Sequence, residues 1–509
     1  MQKCVLEYLE KNAIASNGFI KDKNKQISYM ELMLMAKGIG SALADITAPI
    51  SAIAVLMDKQ IEAVASFLGI AYSGCYYSFL NTELPKARLA VILEALAPSY
   101  IITNDKYMEL SIELYGSDRV INIDKLLMSE INEFKLQIIR DGMISTDPLY
   151  VNFTSGSTGV PKGVCISHAS AIDFIDVFTE LFNINAKDII GNQAPLDFDV
   201  SVKDIYSALK TGASLCLIER ELFSRPKELI DYLADNSVTT MIWAVSALCL
   251  ITTLHGLDYR VPEAINKVLF SGEVMPMKHL RQWLDKLPNA TFVNLYGPTE
   301  ITCNCTYHII DREREYEGGI PIGRAFPNER IYLLDEENKL INEVGKPGEI
   351  CVAGLAVGLG YLKRRDETLR AFPQSPINEL YHERIYRTGD LGAYDGERNL
   401  RFLGRKDFQI KYQGHRIELE EIDKAMMRID GIIRACTIFD SEKERLYGFY
   451  IGDIDKQELH RLLSKDTPSY MIPGRLIKMD EFPMTKNGKL DRRELLKMGG
   501  VRRHAKEAN

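Results

Sequence analysis

The sharpest chemical signal in the sequence is a run of small hydroxyl and glycine residues at 154–163. The apolar stretch Tyr150-Val151-Asn152-Phe153 gives way there to Thr154-Ser155-Gly156-Ser157-Thr158-Gly159-Val160-Pro161-Lys162-Gly163. Glycine lets backbone N–H groups turn inward around an anion, the hydroxyls add donors, and Lys162 adds positive charge. A polyphosphate is the natural guest. This is not a Walker A loop, which needs Gly-Lys followed by Ser or Thr; here Pro161 precedes the lysine and Gly163 follows it. Taken alone, a Ser/Gly run is more often a flexible turn. Its position directly after an apolar strand reverses that preference.

Further motifs follow in order. They are Asn294-Leu295-Tyr296-Gly297-Pro298-Thr299-Glu300, then Gly348-Glu349-Ile350-Cys351-Val352-Ala353-Gly354 with residues 358–361, then Tyr386-Arg387-Thr388-Gly389-Asp390. Gly404-Arg405-Lys406-Asp407-Phe408-Gln409-Ile410-Lys411 and Pro483-Met484-Thr485-Lys486-Asn487-Gly488-Lys489-Leu490-Asp491 complete the set. Together they resemble the adenylate-forming superfamily, which comprises acyl-CoA synthetases, nonribosomal peptide adenylation domains and luciferases. The resemblance covers most of the chain.

That resemblance implies a two-step chemistry. A carboxylate attacks the α-phosphorus of ATP, giving an acyl-adenylate and pyrophosphate, and a thiol then displaces AMP. Positioning and charge neutralisation do most of the first step. The family pattern implies that Thr154, Ser155, Ser157, Thr158 and Lys162, framed by Gly156 and Gly159, handle the β- and γ-phosphates. Thr299 donates to the α-phosphate. Glu300 holds Mg2+, a cation that needs one or two carboxylates when phosphates supply the rest. A Thr-Glu pair outside this context is as readily a helix start. Tyr296 offers adenine a flat face, with Asn294, Gly297, Gly272 and Glu273 in the same nucleotide set. Asp390 accepts both ribose hydroxyls, and Arg405 sits near ribose and phosphate. Lys489 is the catalytic residue, a mobile ammonium bridging the substrate carboxylate and the developing charge. Asp407 resembles the family's hinge. About it a small domain rotates between steps, withdrawing Lys489 and bringing in the strand around Gly414, where a pantetheine arm passes close to the backbone.

The acid itself is addressed by Leu196-Asp197-Phe198-Asp199-Val200-Ser201-Val202-Lys203-Asp204. It resembles the segment of amino-acid-activating members in which one aspartate, here Asp199, pairs with the substrate's α-ammonium; a buried carboxylate needs such a partner. Helix capping suits Asp197 better. The pocket implied by the peptide-synthetase pattern is Asp199, Val200, Lys203, Ala247, Leu269, Ser271, Leu295, Cys303, Asn304 and Lys489. Leu269, Ser271 and Leu295 resemble pockets for small polar amino acids. Lys203 and Asn304 hint at a polar or acidic side chain, although Lys203 could equally snorkel to solvent. Overall the chain is most similar to stand-alone amino-acid adenylation enzymes such as the D-alanine–D-alanyl carrier protein ligases. Those place cysteine where this chain has Ser271. The implied acceptor is the phosphopantetheine thiol of a separate carrier protein, since no carrier segment follows Lys489. An acyl-CoA synthetase is the alternative, and Asp199 argues against it.

The elements that must position these residues read as α/β. Of 509 residues, 46% are hydrophobic and 26% charged, ordinary globular values that exclude a disordered or collagen-like chain. The net charge of −8 gives no bulk reason to expect nucleic acid or an anionic membrane. Nine scattered cysteines without a CxxC suit reduced thiols in a cytoplasm. No signal peptide or membrane span is expected. Strands over 50–56, 100–103, 213–218, 238–245, 267–270 and 291–295 alternate with helical stretches such as 276–287, the βαβ pattern of parallel sheets. Beyond about residue 320, frequent Gly and Pro predict turn-connected β structure. Residues 408–412 alternate as a strand, and 418–429 have helical spacing. From residue 401 onward there are 23 basic and 18 acidic residues, a net of +5 against −13 before it. That balance could steer an acidic carrier protein. The expected architecture is a large N-terminal adenylation core, residues 1–406, with parallel-sheet subdomains and a β-rich subdomain, and a small α+β C-terminal lid, residues 407–509.

Overall fold

A computed structural model describes residues 2–156, 160–407, 409–441, 443–484 and 490–500. The chain divides into two compact units. The first comprises Met1–Thr82, Leu93–Phe153 and Gly163–Lys406; the second comprises Glu83–Ile92, Thr154–Lys162 and Asp407–Asn509.

Two large sheets dominate the first unit. In the nine-stranded sheet, Thr291–Tyr296, Lys267–Ser271, Thr240–Ala244, Ile189–Asn192, Ser214–Leu217 and Phe19–Lys21 lie side by side in parallel, with antiparallel strands at both edges. Leu269 sits opposite Ile242 on one side and Val293 on the other. Helices cover both faces, so the strands read as continuous apolar runs. The fully buried indoles Trp243 and Trp283 fill the space behind this sheet and donate to the Gly191 and Leu248 carbonyls at 2.7 and 3.1 Å. The seven-stranded sheet is built around Ala52–Leu56, buried at every position, which runs parallel to Tyr76–Phe79 and Tyr100–Thr103. Its outermost strand, Gly360–Tyr361, pairs antiparallel with Lys162–Ser167.

The Gly/Pro-rich region forms a four-stranded antiparallel sheet, Glu329–Leu334, Gly348–Gly354, Ile385–Tyr394 and Leu400–Arg405. Local boundaries differ slightly from the sequence reading. The strand expected over 238–245 spans Thr240–Ala244, because Val245 already opens the helix Val245–Thr253. The helix expected over 276–287 is Met277–Lys286, with Pro276 at its N-cap, a place where a missing N–H costs no helical bond.

In the second unit, Gln409–Tyr412 and His415–Glu418 form a hairpin. Its two turn residues, Gln413 and Gly414, have φ of 52° and 80°. Positive φ at both positions matches the strand twist, and the second position takes glycine. Helix Leu419–Met427 follows and packs through Leu419, Ile422 and Met426. The sheet Ile432–Asp440, Arg445–Gly452 and Arg475–Lys478 completes a small α+β fold. Among the described residues, no helix is long and apolar enough to cross a membrane.

Candidate functional site

In the first unit three of the residues expected at a nucleotide site, Tyr296, Asp390 and Arg405, are joined to one another. Asp390 and Arg405 are cross-strand partners in the β-rich sheet, and the Arg405 guanidinium donates to Asp390 Oδ1 and, at 3.2 Å, to the Thr388 carbonyl. The Tyr296 hydroxyl donates to Asp390 Oδ2. Burial, and then the neighbouring Asp390 charge, keep that phenol protonated far above its ordinary range. An ionised carboxylate has about four acceptor positions, so Asp390 retains capacity for a vicinal diol. The Asn294 amide donates to the Pro321 carbonyl at 2.9 Å and so anchors a neighbouring loop. Gly272, with φ of 103°, turns the chain at the end of Lys267–Ser271, just before Glu273.

Glu300 is buried in the single turn Thr299–Ile301. Its Oε1 accepts from the Tyr361 hydroxyl at 2.9 Å, and its backbone carbonyl accepts from Gly358 N–H at 2.8 Å. Residues 358–361 therefore wrap the glutamate. Sequence gives Tyr361 no role; the one local signal for it is its place beside Gly360, whose φ is 123°. Thr302 and Cys303 then follow with φ of 52° and 79°. Two successive non-glycine residues in the left-handed region are costly, and such strain concentrates at functional sites. A Cβ on Gly297 would lie 2.4 Å from Asn304 Cα, so the Tyr-Gly-Pro-Thr-Glu turn folds directly over Cys303 and Asn304.

Of the residues expected to line an amino-acid pocket, Asp199 is joined to Cys303 and Lys203 to Asn304. Asp199 is the N-cap of Val200–Thr211 but its side chain makes no cap hydrogen bond. Asp197 is not the cap either: Asn81 Nδ2 reaches its two oxygens at 3.5 and 3.3 Å, and burial lifts its carboxyl to about 6. The Cys303 thiol donates to the Asp199 carbonyl at 2.9 Å. Lys203 does not snorkel. It is fully buried, with Nζ 2.7 Å from Asn304 Oδ1. Next to it, Asn192 Nδ2 donates to Asp204 Oδ2 at 2.6 Å, and burial raises the Asp204 carboxyl to about 7 despite the charges of Lys203 and Lys59. Ala247, Leu269, Ser271 and Leu295 are all buried, and Val200 is half-buried.

In the second unit, Thr154 ends its strand and Lys162 begins the next. The Ser155 hydroxyl donates to the Arg416 carbonyl at 2.8 Å. A Cβ on Gly156 would meet the Val160 carbonyl at 2.3 Å, so the position is suited to glycine. Asp407 Oδ1 accepts from Gln409 N–H at 3.2 Å, an Asx-type bond at the boundary between units. Ser157, Thr158, Gly159 and Lys489 lie outside the described residues.

The model of the AMP-binding enzyme family matches residues 2–362. The chain belongs to that family, the adenylate-forming superfamily its motifs resemble. It is similar to bacitracin synthase 1 of Bacillus licheniformis, 33% identical over 93% of this chain but only 9% of that protein. The chain thus spans under a tenth of that relative. Among solved structures it is similar to holo-PA1221, a nonribosomal peptide synthetase protein containing adenylation and PCP domains, at 24% identity and a TM-score of 0.83 over 97% of this chain and 84% of that one. It also matches the Vibrio cholerae adenylation domain AlmE in complex with glycyl-adenosine-5′-phosphate, at 22% identity and a TM-score of 0.84 over 98% of each chain. Both share its fold.

Proposed function

We propose that this protein is an ATP-dependent, AMP-forming ligase. It activates an amino acid as the aminoacyl-adenylate and passes it to the phosphopantetheine thiol of a carrier protein. The observation that carries the reading is the pairing of two chemistries within one unit. An Asp–Arg–Tyr cluster is suited to a ribose, and Asp199, with its backbone fastened by Cys303, stands beside a buried Lys203–Asn304 pair. The match of AlmE, crystallised with an aminoacyl-adenylate, and of PA1221, which carries a PCP domain, supports the same assignment.

In this reading Asp390 holds the ribose, Tyr296 backs the adenine, and Arg405 neutralises charge. Thr299 orients the α-phosphate, and the 154–162 loop with Lys162 takes the outer phosphates. Glu300 fits Mg2+: it is a buried hard-oxygen donor oriented by one phenol. The bound ion would neutralise phosphate charge. Asp199 accepts the substrate α-ammonium and aligns the carboxylate for attack on phosphorus. Lys489 stabilises the charge that develops there. Asp407 then serves as the hinge, and Gly414 admits the pantetheine arm for thioester formation. The basic balance after residue 401 suits an acidic carrier.

The substrate is a small polar or acidic amino acid, or D-alanine. What supports a polar or acidic side chain is that the expected pocket carries a buried, mutually bonded Lys203–Asn304 pair in place of apolar residues. ATP–pyrophosphate exchange over both stereoisomers of aspartate, glutamate, serine and alanine tests this. Exchange restricted to D-alanine removes the polar-pocket reading. Exchange with simple carboxylic acids and CoA-dependent turnover would replace the whole assignment with an acyl-CoA synthetase.

A further inference from the structure

The segment that carries Asp199 begins at the end of strand Ile189–Asn192, and three consecutive carbonyls there point at one lysine amino group, whose pKa burial lowers to about 7. Lys59 Nζ lies 3.3, 3.2 and 3.5 Å from the carbonyl oxygens of Asn192, Gln193 and Ala194. Successive carbonyls of an extended chain point in opposite directions. Convergence of three on one point requires the backbone to curl, and a curl of like dipoles is unfavourable without a donor at its centre. Lysine is the side chain with three donors radiating from one atom.

Other restraints hold the near end of this segment. Trp243 Nε1 binds the Gly191 carbonyl, Ala244 N–H donates to Gln193 Oε1 at 3.2 Å, and Ile218 N–H donates to the Asn192 carbonyl at 3.2 Å. Among the described residues, Lys59 is the donor that reaches the Gln193 and Ala194 carbonyls. Ala194 is buried, so losing that donor strands a desolvated carbonyl. Lys59 comes from the other large sheet, in the connection between strand Ala52–Leu56 and helix Ile61–Tyr72. That connection is itself tied down by Asp22, whose Oδ2 accepts from Ile61 N–H at 3.0 Å.

We infer that Lys59 is a positioning residue for amino-acid capture: it fixes the curl after strand Ile189–Asn192 and thereby the placement of Asp199. The inference rests on the reading of Asp199 as the partner of the substrate ammonium. Lys59 touches no reacting atom. It acts through the backbone, and a displacement of about 1 Å at a charge-pairing carboxylate is enough to weaken binding severely.

The test uses the full chain with Lys59→Met, which keeps length and removes donors, and Lys59→Arg, which keeps charge but offers a planar fork. Two readouts are taken: hydrogen–deuterium exchange of the amides at 193–199 without ligands, and pyrophosphate exchange with L- and D-aspartate, glutamate, serine and alanine. Lys59→Met should accelerate amide exchange at 193–199 with little change elsewhere. It should raise the amino-acid KM about tenfold or more while the ATP KM stays within about twofold. Lys59→Arg should fall between. Amide exchange at 193–199 equal to wild type, or amino-acid and ATP KM rising together, overturns the inference. If wild type exchanges with simple carboxylic acids and with no amino acid, the Asp199 reading fails and the amide-exchange arm alone decides whether Lys59 fixes the curl. If Lys59→Met does not fold, Lys59→Arg is judged by the same readouts, and wild-type values in both overturn the inference.

Discussion

A phenol decides how the proposed metal ligand stands. The Tyr361 hydroxyl is 2.9 Å from Glu300 Oε1, and partners one shell out from a metal typically carry 10–100-fold in affinity. Tyr361→Phe should therefore raise the Mg2+ concentration for half-maximal pyrophosphate exchange about tenfold, with ATP and amino-acid KM nearly unchanged at saturating Mg2+. An unchanged Mg2+ titration would release Tyr361 from this role. At Lys489 the prediction separates the half-reactions. Lys489→Ala should lose most adenylation yet still form thioester from supplied aminoacyl-adenylate, measured by carrier loading; equal loss of both steps contradicts the assignment. Asp199, Asn304 and Glu300 are expected at the site from sequence because motif order names them. Tyr361 and Lys59 are not, because neither touches its partner through local sequence.

At the scale of elements, the turn 296–300 controls two groups of residues at once. Its Gly297 has backbone on the side where a Cβ would point, 2.4 Å from Asn304 Cα and 2.7 Å from the Cys303 carbonyl. Gly297→Ala must push the 303–304 backbone, already at positive φ at Cys303, out of place. A loss of about 1–3 kcal/mol in denaturant unfolding is expected, with amino-acid KM rising more than ATP KM. A variant of wild-type stability and kinetics would show that the turn yields freely. Strands were read from apolar runs to within a few residues because parallel strands buried on both faces leave a continuous signature. The end of Thr240–Ala244 was misplaced since Val245 is β-branched yet starts a helix, tertiary packing overriding propensity.

For the whole molecule, the division at Lys406 and Asp407 is where a hinge would act. Asp407→Pro should spare pyrophosphate exchange and slow carrier loading; an unaffected second step withdraws the hinge. Global stability carries a separate acid signature. His168 is fully buried, with Val5 N–H 3.4 Å from its Nδ1, and burial lowers its pKa to about 3. The unfolded chain, near 6.5, binds a proton the native state refuses, so this contribution is complete above about pH 6.5 and falls as pH drops toward 3, by about 1.4 kcal/mol per unit. Urea unfolding from about pH 5 to 8 should show a shallower acid loss in His168→Gln than in wild type. Parallel curves would exclude the histidine as the cause. Taking the difference between the two proteins removes the opposite contribution of Asp197 and Glu329, whose buried carboxyls are raised.

Sequence alone determined the superfamily and the α/β class. Those depend on local chemistry: glycines at tight turns, carboxylates and basic residues at fixed spacings, apolar strands. Tertiary structure decided that Lys203 turns inward to Asn304, that Asp197 pairs with Asn81 and not with a helix end, and that Tyr361 and Lys59 serve groups far away in sequence. The reason is physical. A buried polar group must find a partner wherever the packed chain places one, and no spacing along the sequence records where that is.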